Sequence, residues 1–137
     1  MKIYFAGAIR GGRDDAPLYL EIVKLLRAYG EVLTEHVAAS DLSVLGESRG
    51  DRWIHDRDLA WLKEANCLVA EVTTPSLGVG FEIAKATEWG KRVLCLYRPS
   101  AGRALSALIA GSERVTVREY QTTADLPKIF DEFFGTR

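Results

Sequence analysis

The sequence predicts a doubly wound α/β sandwich: a five-stranded parallel sheet, Rossmann- or flavodoxin-like in outline, with helices on both faces. Three observations lead there. Apolar runs suited to strands alternate with helical patterns from one end of the chain to the other. Strands separated by helices are joined by crossovers, which pair them in parallel and with right-handed connections. The length, 137 residues, fits one domain spanning 1–137.

Each element has its own signal. Residues 3–6 form the first strand, and a helix follows with Asp14 or Asp15 as cap, Pro17 in its first turn and Gly30 just past its end. Within that helix Leu18, Ile22, Leu25, Leu26 and Tyr29 recur at helical spacing, so one face is buried. The second strand is read at 32–36 and the second helix at 51–65. A third strand at 67–72 leads to a third helix at 80–89, and a fourth strand occupies 92–97. A short helix at 103–110, a fifth strand at 115–118 and a last helix at 124–134 complete the chain. There is no repeat, low-complexity tract or linker.

Composition narrows the function. With 47% hydrophobic and 27% charged residues the chain can build a packed core. Eighteen basic against nineteen acidic residues leave no surplus to neutralise a phosphate backbone, so no nucleic-acid partner is expected. A small phosphorylated ligand needs only a few local donors and stays open. Apolar runs such as 93–97 are far short of the ~20 residues of a membrane span, so no membrane partner is expected. The N-terminal run meets Gly7 and Arg10 too soon for a signal peptide. Cys67 and Cys95 lack CxxC spacing and read as buried thiols of a reducing compartment, the cytoplasm or, in a eukaryote, also the nucleus. Two histidines without ligand spacing give no zinc site.

Doubly wound sheets bind ligands outside the carboxyl ends of their strands. The segments there, 7–12, 36–40, 73–80 and 98–103, all carry Gly, Ser, Thr, Arg or His. Thr73-Thr74-Pro75-Ser76-Leu77-Gly78-Val79-Gly80 links the third strand to the third helix. Its glycines let backbone N–H groups approach an anion, Ser76 adds a hydroxyl, and a helix N-terminus favours negative charge. No GK[ST] follows, and Ile83 takes the place of a third glycine, so neither a Walker loop nor a dinucleotide fingerprint is present. The same pattern also fits a glycine-rich turn with a capping serine.

Glu82, read in the first turn of that helix, either complements the helix dipole or acts as nucleophile or base. Asp58 falls at helical spacing with Ile54, Trp61 and Leu62; a carboxylate on that apolar face is either paired with an arginine or N–H, or functional. Together Asp58 and Glu82 match the two-carboxylate set of glycosidic cleavage. Tyr4 faces either core or cleft. His36 ends the second strand, and Arg10 either clamps a phosphate or lies solvated at the surface.

Taken together, Tyr4-Phe5-Ala6-Gly7-Ala8-Ile9-Arg10-Gly11-Gly12-Arg13, Val32-Leu33-Thr34-Glu35-His36-Val37-Ala38 and Ile54-His55-Asp56 with Asp58-Leu59 and Trp61-Leu62 resemble the 2′-deoxynucleoside 5′-monophosphate N-glycosidases. So do Ala70-Glu71-Val72-Thr73 with Pro75-Ser76-Leu77-Gly78-Val79-Gly80, Cys95-Leu96 with Arg98-Pro99, and Gly102-Arg103 with Leu105-Ser106-Ala107. This group belongs with the nucleoside 2-deoxyribosyltransferases. The resemblance implies a Rossmann-like homodimer that hydrolyses deoxynucleotides to free base and 2-deoxyribose 5-phosphate, without cofactor or metal. It implies Glu82 as nucleophile, Asp58 as general acid/base and Tyr4 as the residue orienting Glu82. Ser76 and Gly78 are implied at the 5′-phosphate, with Ser106 reaching in from the partner subunit. Gly7, Ile9, Arg10 and Gly11 are implied to line the nucleotide pocket, with His36 near the base. Ala8 departs from the serine that relatives often carry, and the 41–50 loop is shorter than in vertebrate members.

Two other functions stay in view. A transferase passes the deoxyribosyl group to a second base rather than to water. A non-catalytic nucleotide-binding module needs neither carboxylate. A receiver-like module is disfavoured, because Ala6-Gly7-Ala8 and Val72-Thr73-Thr74 lack its aspartates.

Overall fold

The computed structural model describes residues 1–9, 15–34, 49–99, 102 and 104–135. In chain order these form β1 (Lys2–Ala6), α1 (Ala16–Leu26), β2 (Glu31–Val32), α2 (Asp51–Glu64), β3 (Cys67–Glu71), α3 (Leu77–Glu88), β4 (Arg92–Tyr97), α4 (Ala107–Ala110), β5 (Thr116–Glu119) and α5 (Leu126–Phe134). The strands make one parallel sheet in the order β2-β1-β3-β4-β5. The expected α/β class and strand number are present. The chain winds outward in opposite directions from β1 and β3, so the strand order reverses between them and opens a crevice at their carboxyl ends.

Period-two alternation sorts the strand side chains into two cores. Ile3 and Phe5 face Tyr19, Ile22 and Leu26 of α1 and Phe130 of α5. Tyr4 and Ala6 point the other way, to Leu62 of α2 and Val79, Ile83 and Ala86 of α3. Central β3 is buried along its whole length, as a strand covered on both faces must be. Cys67 and Cys95 are buried free thiols; burial pushes them up to about 11 and about 12, so both stay protonated and inert.

Several boundaries shift, each for a local reason. Strand two is expected to run to residue 36 but pairs only over Glu31–Val32. After Leu33 N–H bonds Ile3 O at 2.9 Å, the Thr34 hydroxyl takes the Phe5 N–H at 2.7 Å, so a side chain replaces the next rung of the ladder. Residues 35 and 36 lie outside the described residues. Helix α1 stops at Leu26, and the chain reaches Gly30 through successive turns rather than meeting it at the helix end. Its cap is Asp15, yet that carboxylate makes no cap bond and is held by Arg98 and Thr74 instead.

Helix α3 starts at Leu77, three residues before the expected Gly80. Gly78 and Gly80 therefore lie inside its first turn, and Glu82 sits in the second turn. Helix α4 is a single turn over Ala107–Ala110, shorter than the expected 103–110; Ala104–Ser106 are not helical and Arg103 is outside the described residues. The last helix is split, with a 3-10 turn at Thr123–Asp125 under a Thr122/Asp125 capping box before α5 begins.

Candidate active site

Three elements bring one polar group each to the α2/α3 side of the sheet. Tyr4 stands on β1 with its ring buried in the second core, and its hydroxyl donates to Glu82 Oε2. Its ring thus lies in the core while its hydroxyl meets the Glu82 carboxyl. Burial pushes the Glu82 carboxyl up to about 7; the Tyr4 hydrogen bond pulls it down and the Asp58 charge pushes it up. Burial also raises the Tyr4 phenol, as do the charges of Glu82 and Asp58, so the hydroxyl remains a donor at neutral pH. Asp58 lies on α2, half-buried, and its charge acts on both members of the pair.

Being in the second turn of α3 and desolvated, Glu82 is poorly placed merely to complement a helix dipole, which acts over the first turn. Asp58 has the arginine partner that its position called for: Arg57 Nε and Nη2 donate to Asp58 Oδ1 at 3.0 and 2.8 Å. A carboxyl poised near neutral pH beside a second carboxyl and a phenol donor can attack an electrophilic carbon while its neighbour moves a proton.

The glycine-rich segment does two things. Ser76 caps α3, its Oγ accepting the Val79 N–H at 3.3 Å. Capping uses an acceptor lone pair and leaves the hydroxyl hydrogen able to donate to an anion. Gly78 lies four residues before Glu82, hence on the same stripe of α3; a Cβ there would stand 3.8 Å from Ser76 Oγ. Ser76 and Ser106 both line a largely apolar cavity of about 790 Å³ beside α3 and α4. Tyr4, Asp58 and Glu82 are not among its walls. The chain thus gathers Tyr4, Asp58, Glu82 and Gly78 on one side of α3 and places Ser106 in the cavity, with Ser76 at the helix end.

A second polar cluster escaped the sequence reading. Glu71, at the end of β3, is fully buried. Tyr120 donates to its Oε2, the Thr73 N–H donates to Oε1 at 2.6 Å, and Arg98 Nε stands 3.6 Å from Oε2. Arg98 also bonds Asp15 Oδ1 at 2.7 Å, and Thr74 donates to Asp15 Oδ2 at 3.1 Å. Burial raises the Glu71 carboxyl against the pull of these donors. The network anchors Thr73 and Thr74, which lead to Ser76, to β4 and the start of α1. Its sequence signal was a carboxylate interrupting the apolar run 67–72.

Gly7 follows β1, where an added Cβ would lie 2.7 Å from the Tyr19 ring, so only glycine fits without a shift. Ile9 packs against the first core, half-buried. Arg10, Gly11 and His36 lie outside the described residues. Among the described residues no three His, Cys, Asp or Glu side chains cluster as metal ligands, and no helix is long and apolar enough to cross a membrane.

Residues 3–116 match the family model described as nucleoside 2-deoxyribosyltransferase. A Tetraodon nigroviridis protein named 5-hydroxymethyl-dUMP N-hydrolase is 49% identical over 142 aligned positions, covering 100% of this chain and 99% of that protein. A Homo sapiens protein of the same name is 50% identical, covering 96% of this chain and 78% of its own length. Among solved structures, a 2-deoxyribosyltransferase from Bacillus psychrosaccharolyticus is similar in fold, with a TM-score of 0.67, 17% identity and coverage of 92% of this chain and 90% of that one.

Proposed function

The chain belongs to the nucleoside 2-deoxyribosyltransferase family, and we propose that it hydrolyses the N-glycosidic bond of 2′-deoxynucleoside 5′-monophosphates. The products are free base and 2-deoxyribose 5-phosphate. Relatives about half identical over nearly the whole chain carry the name 5-hydroxymethyl-dUMP N-hydrolase, which makes a 5-modified pyrimidine deoxynucleotide the first substrate to try.

The observation that carries the mechanism is the Glu82 carboxyl, held by Tyr4 and raised to about 7 beside Asp58. In this reading the Glu82 carboxylate attacks C1′ through an oxocarbenium-like state while Asp58 protonates the departing base. A glycosyl ester on Glu82 results. Asp58, now a carboxylate, takes a proton from water, which attacks C1′ and releases the sugar phosphate. A retaining pair of this kind works at a separation of about 5 Å. Tyr4 keeps one Glu82 oxygen occupied so that the other is presented to the sugar. The absent 2′-hydroxyl leaves room beside the nucleophile.

Ser76 and Gly78 at the start of α3 hold the 5′-phosphate, where unpaired helix N–H groups favour an anion. Binding there, remote from C1′, supplies energy for positioning. By the resemblance, the nucleotide pocket is assigned to Gly7, Ile9, Arg10 and Gly11 and the neighbourhood of the base to His36, with Arg10, Gly11 and His36 outside the described residues. A homodimer completes the site: Leu77 and Leu108 flank the cavity at 97% and 89% exposure, a face suited to a second copy that brings its own Ser106 to the cradle. If Ser106 acts across the interface, mixing Glu82→Gln with Ser106→Ala chains restores a site complete in all groups; if it acts within its own chain, mixing restores none. The two free thiols suit a cytoplasmic setting, or cytoplasm and nucleus in a eukaryote. The even charge balance supports a free nucleotide as partner rather than nucleic acid or a membrane.

The test is a panel of deoxynucleoside monophosphates, including 5-hydroxymethyl-dUMP and dGMP, with ribonucleotides and unphosphorylated nucleosides as controls. Base release from the deoxynucleotides, abolished in Glu82→Ala while nucleotide still binds, supports the reading. Equal cleavage of nucleosides lacking the phosphate refutes the cradle. The family name favours base exchange as a second reading. Incubation of dGMP with adenine separates the two, since accumulation of dAMP marks a transferase.

A further inference from the structure

We propose that Arg57 is the positioning residue for Asp58: its guanidinium, clamped between Trp53 and Trp61, holds the Asp58 carboxyl group by Oδ1 at one fixed angle toward the Tyr4–Glu82 pair. The proposal rests on the reading of Asp58 as acid and base. Consecutive residues on a helix do not face each other, so an arginine reaches its immediate neighbour only by folding back across the helix surface. The two tryptophans cause that fold. They stand four residues before and four after Arg57, on its own stripe of α2, and the guanidinium carbon lies 4.9 Å from one ring and 4.6 Å from the other. Both distances are within the reach of a cation–π contact, about 6 Å.

Stacking engages the faces of the guanidinium and leaves its N–H edge to point sideways. That edge meets Asp58, with Nε and Nη2 both donating to Oδ1. The side chains of Arg57 and Asp58 are 15% and 23% exposed, so the pair is only weakly screened. The effect extends further, because the Arg57 charge also acts on the Tyr4 phenol, against the upward push from burial and from the two carboxylates. Arg49 stacks on Trp53 as well, at 4.4 Å. Trp53 is 44% exposed and belongs to neither core, whereas Trp61 is half-buried against the second core, so core packing accounts for one ring of the stack and not for the other. A long flexible side chain is ordered at this cost because a carboxylate beside it must be aimed.

The experiment compares Arg57→Met, Arg57→Lys and Arg57→Ala with the parent on a cleaved deoxynucleoside monophosphate. Methionine keeps an apolar stem between the tryptophans and removes the donors. We expect kcat to fall about 10- to 100-fold in Arg57→Met with KM little changed, since the loss is one of aim rather than of binding. Arg57→Lys recovers part of the rate. Millimolar guanidinium, well below denaturing concentrations, restores activity to Arg57→Ala with saturation, by filling the slot between the rings. An unchanged kcat in Arg57→Met overturns the proposal; so does a loss that follows the folded fraction and is not rescued by guanidinium. Full activity in Asp58→Asn refutes the reading beneath it instead, whatever Arg57 does.

Discussion

Replacing Tyr4 by phenylalanine removes one hydroxyl and leaves the ring in the core, so its consequence is confined to Glu82. Glu82 ionises near 7 because burial raises it and the Tyr4 donor partly offsets that rise. A hydrogen bond to a charged group contributes about 1.5–3 kcal/mol, which at about 1.4 kcal/mol per pH unit lifts the carboxyl by about one to two units. If the ionised carboxylate attacks C1′, the acid limb of kcat/KM against pH moves upward by the same amount. At pH 7 the parent is about half ionised and Tyr4→Phe about 1–10%, a rate loss of about 5- to 50-fold that is mostly recovered by about pH 9. The assay is base release from one deoxynucleoside monophosphate at low substrate over a pH series. The phosphate of the substrate titrates near pH 6 but identically for both enzymes, so their difference isolates the protein group. An acid limb that stays put or moves downward refutes the assignment of Tyr4 and Glu82, as does a loss independent of pH.

Other expected outcomes follow from the same geometry. Ser76→Ala removes the α3 cap and lowers stability by about 0.5–2 kcal/mol in urea titration; it also raises KM for deoxynucleotides but not for nucleosides. Tyr120→Phe strips a donor from the buried Glu71 carboxylate and costs about 1–3 kcal/mol by the same measurement, with KM raised through the loosened 73–74 segment. Glu82 ionises at about 4.5 when unfolded and about 7 when folded, so the folded state holds a proton that the unfolded chain has lost in between. Its contribution is present below pH 4.5 and is lost as pH rises through 7. Glu82→Gln therefore becomes more stable than the parent by about 1–3 kcal/mol at pH 8, and the gap closes toward pH 4.5.

The sheet was legible because the short apolar runs at 3–6, 67–72 and 92–97, spaced by helical patterns, are local signals that tertiary contacts then reinforced. The termini of elements were less so, since there side chains stand in for backbone partners. Thr34 takes a strand hydrogen bond, and the cap at Asp15 is diverted to Arg98. Of the site, the sequence indicated Glu82 and Asp58 as residue types and left Tyr4 between core and cleft. Their convergence depends on the register of β1 against β3 and on how α2 packs over α3, and neither is written in spacing. Glu71 went unread because its donor Tyr120 lies 49 residues away. Arg57 was hidden for the opposite reason: adjacency on a helix argues against contact, and only the flanking tryptophans reverse that.

Central to the account is a sugar carried on the Glu82 carboxylate. Rapid acid quench of the protein turning over a deoxynucleoside monophosphate, followed by peptide mass analysis, tests it directly. The account predicts a 2-deoxyribosyl 5-phosphate adduct on the peptide containing Glu82, present in the parent, absent in Glu82→Gln, and accumulating in Asp58→Asn when the substrate carries a leaving group that departs without protonation. Turnover in Glu82→Gln at the parent rate, with no adduct on any peptide, contradicts it.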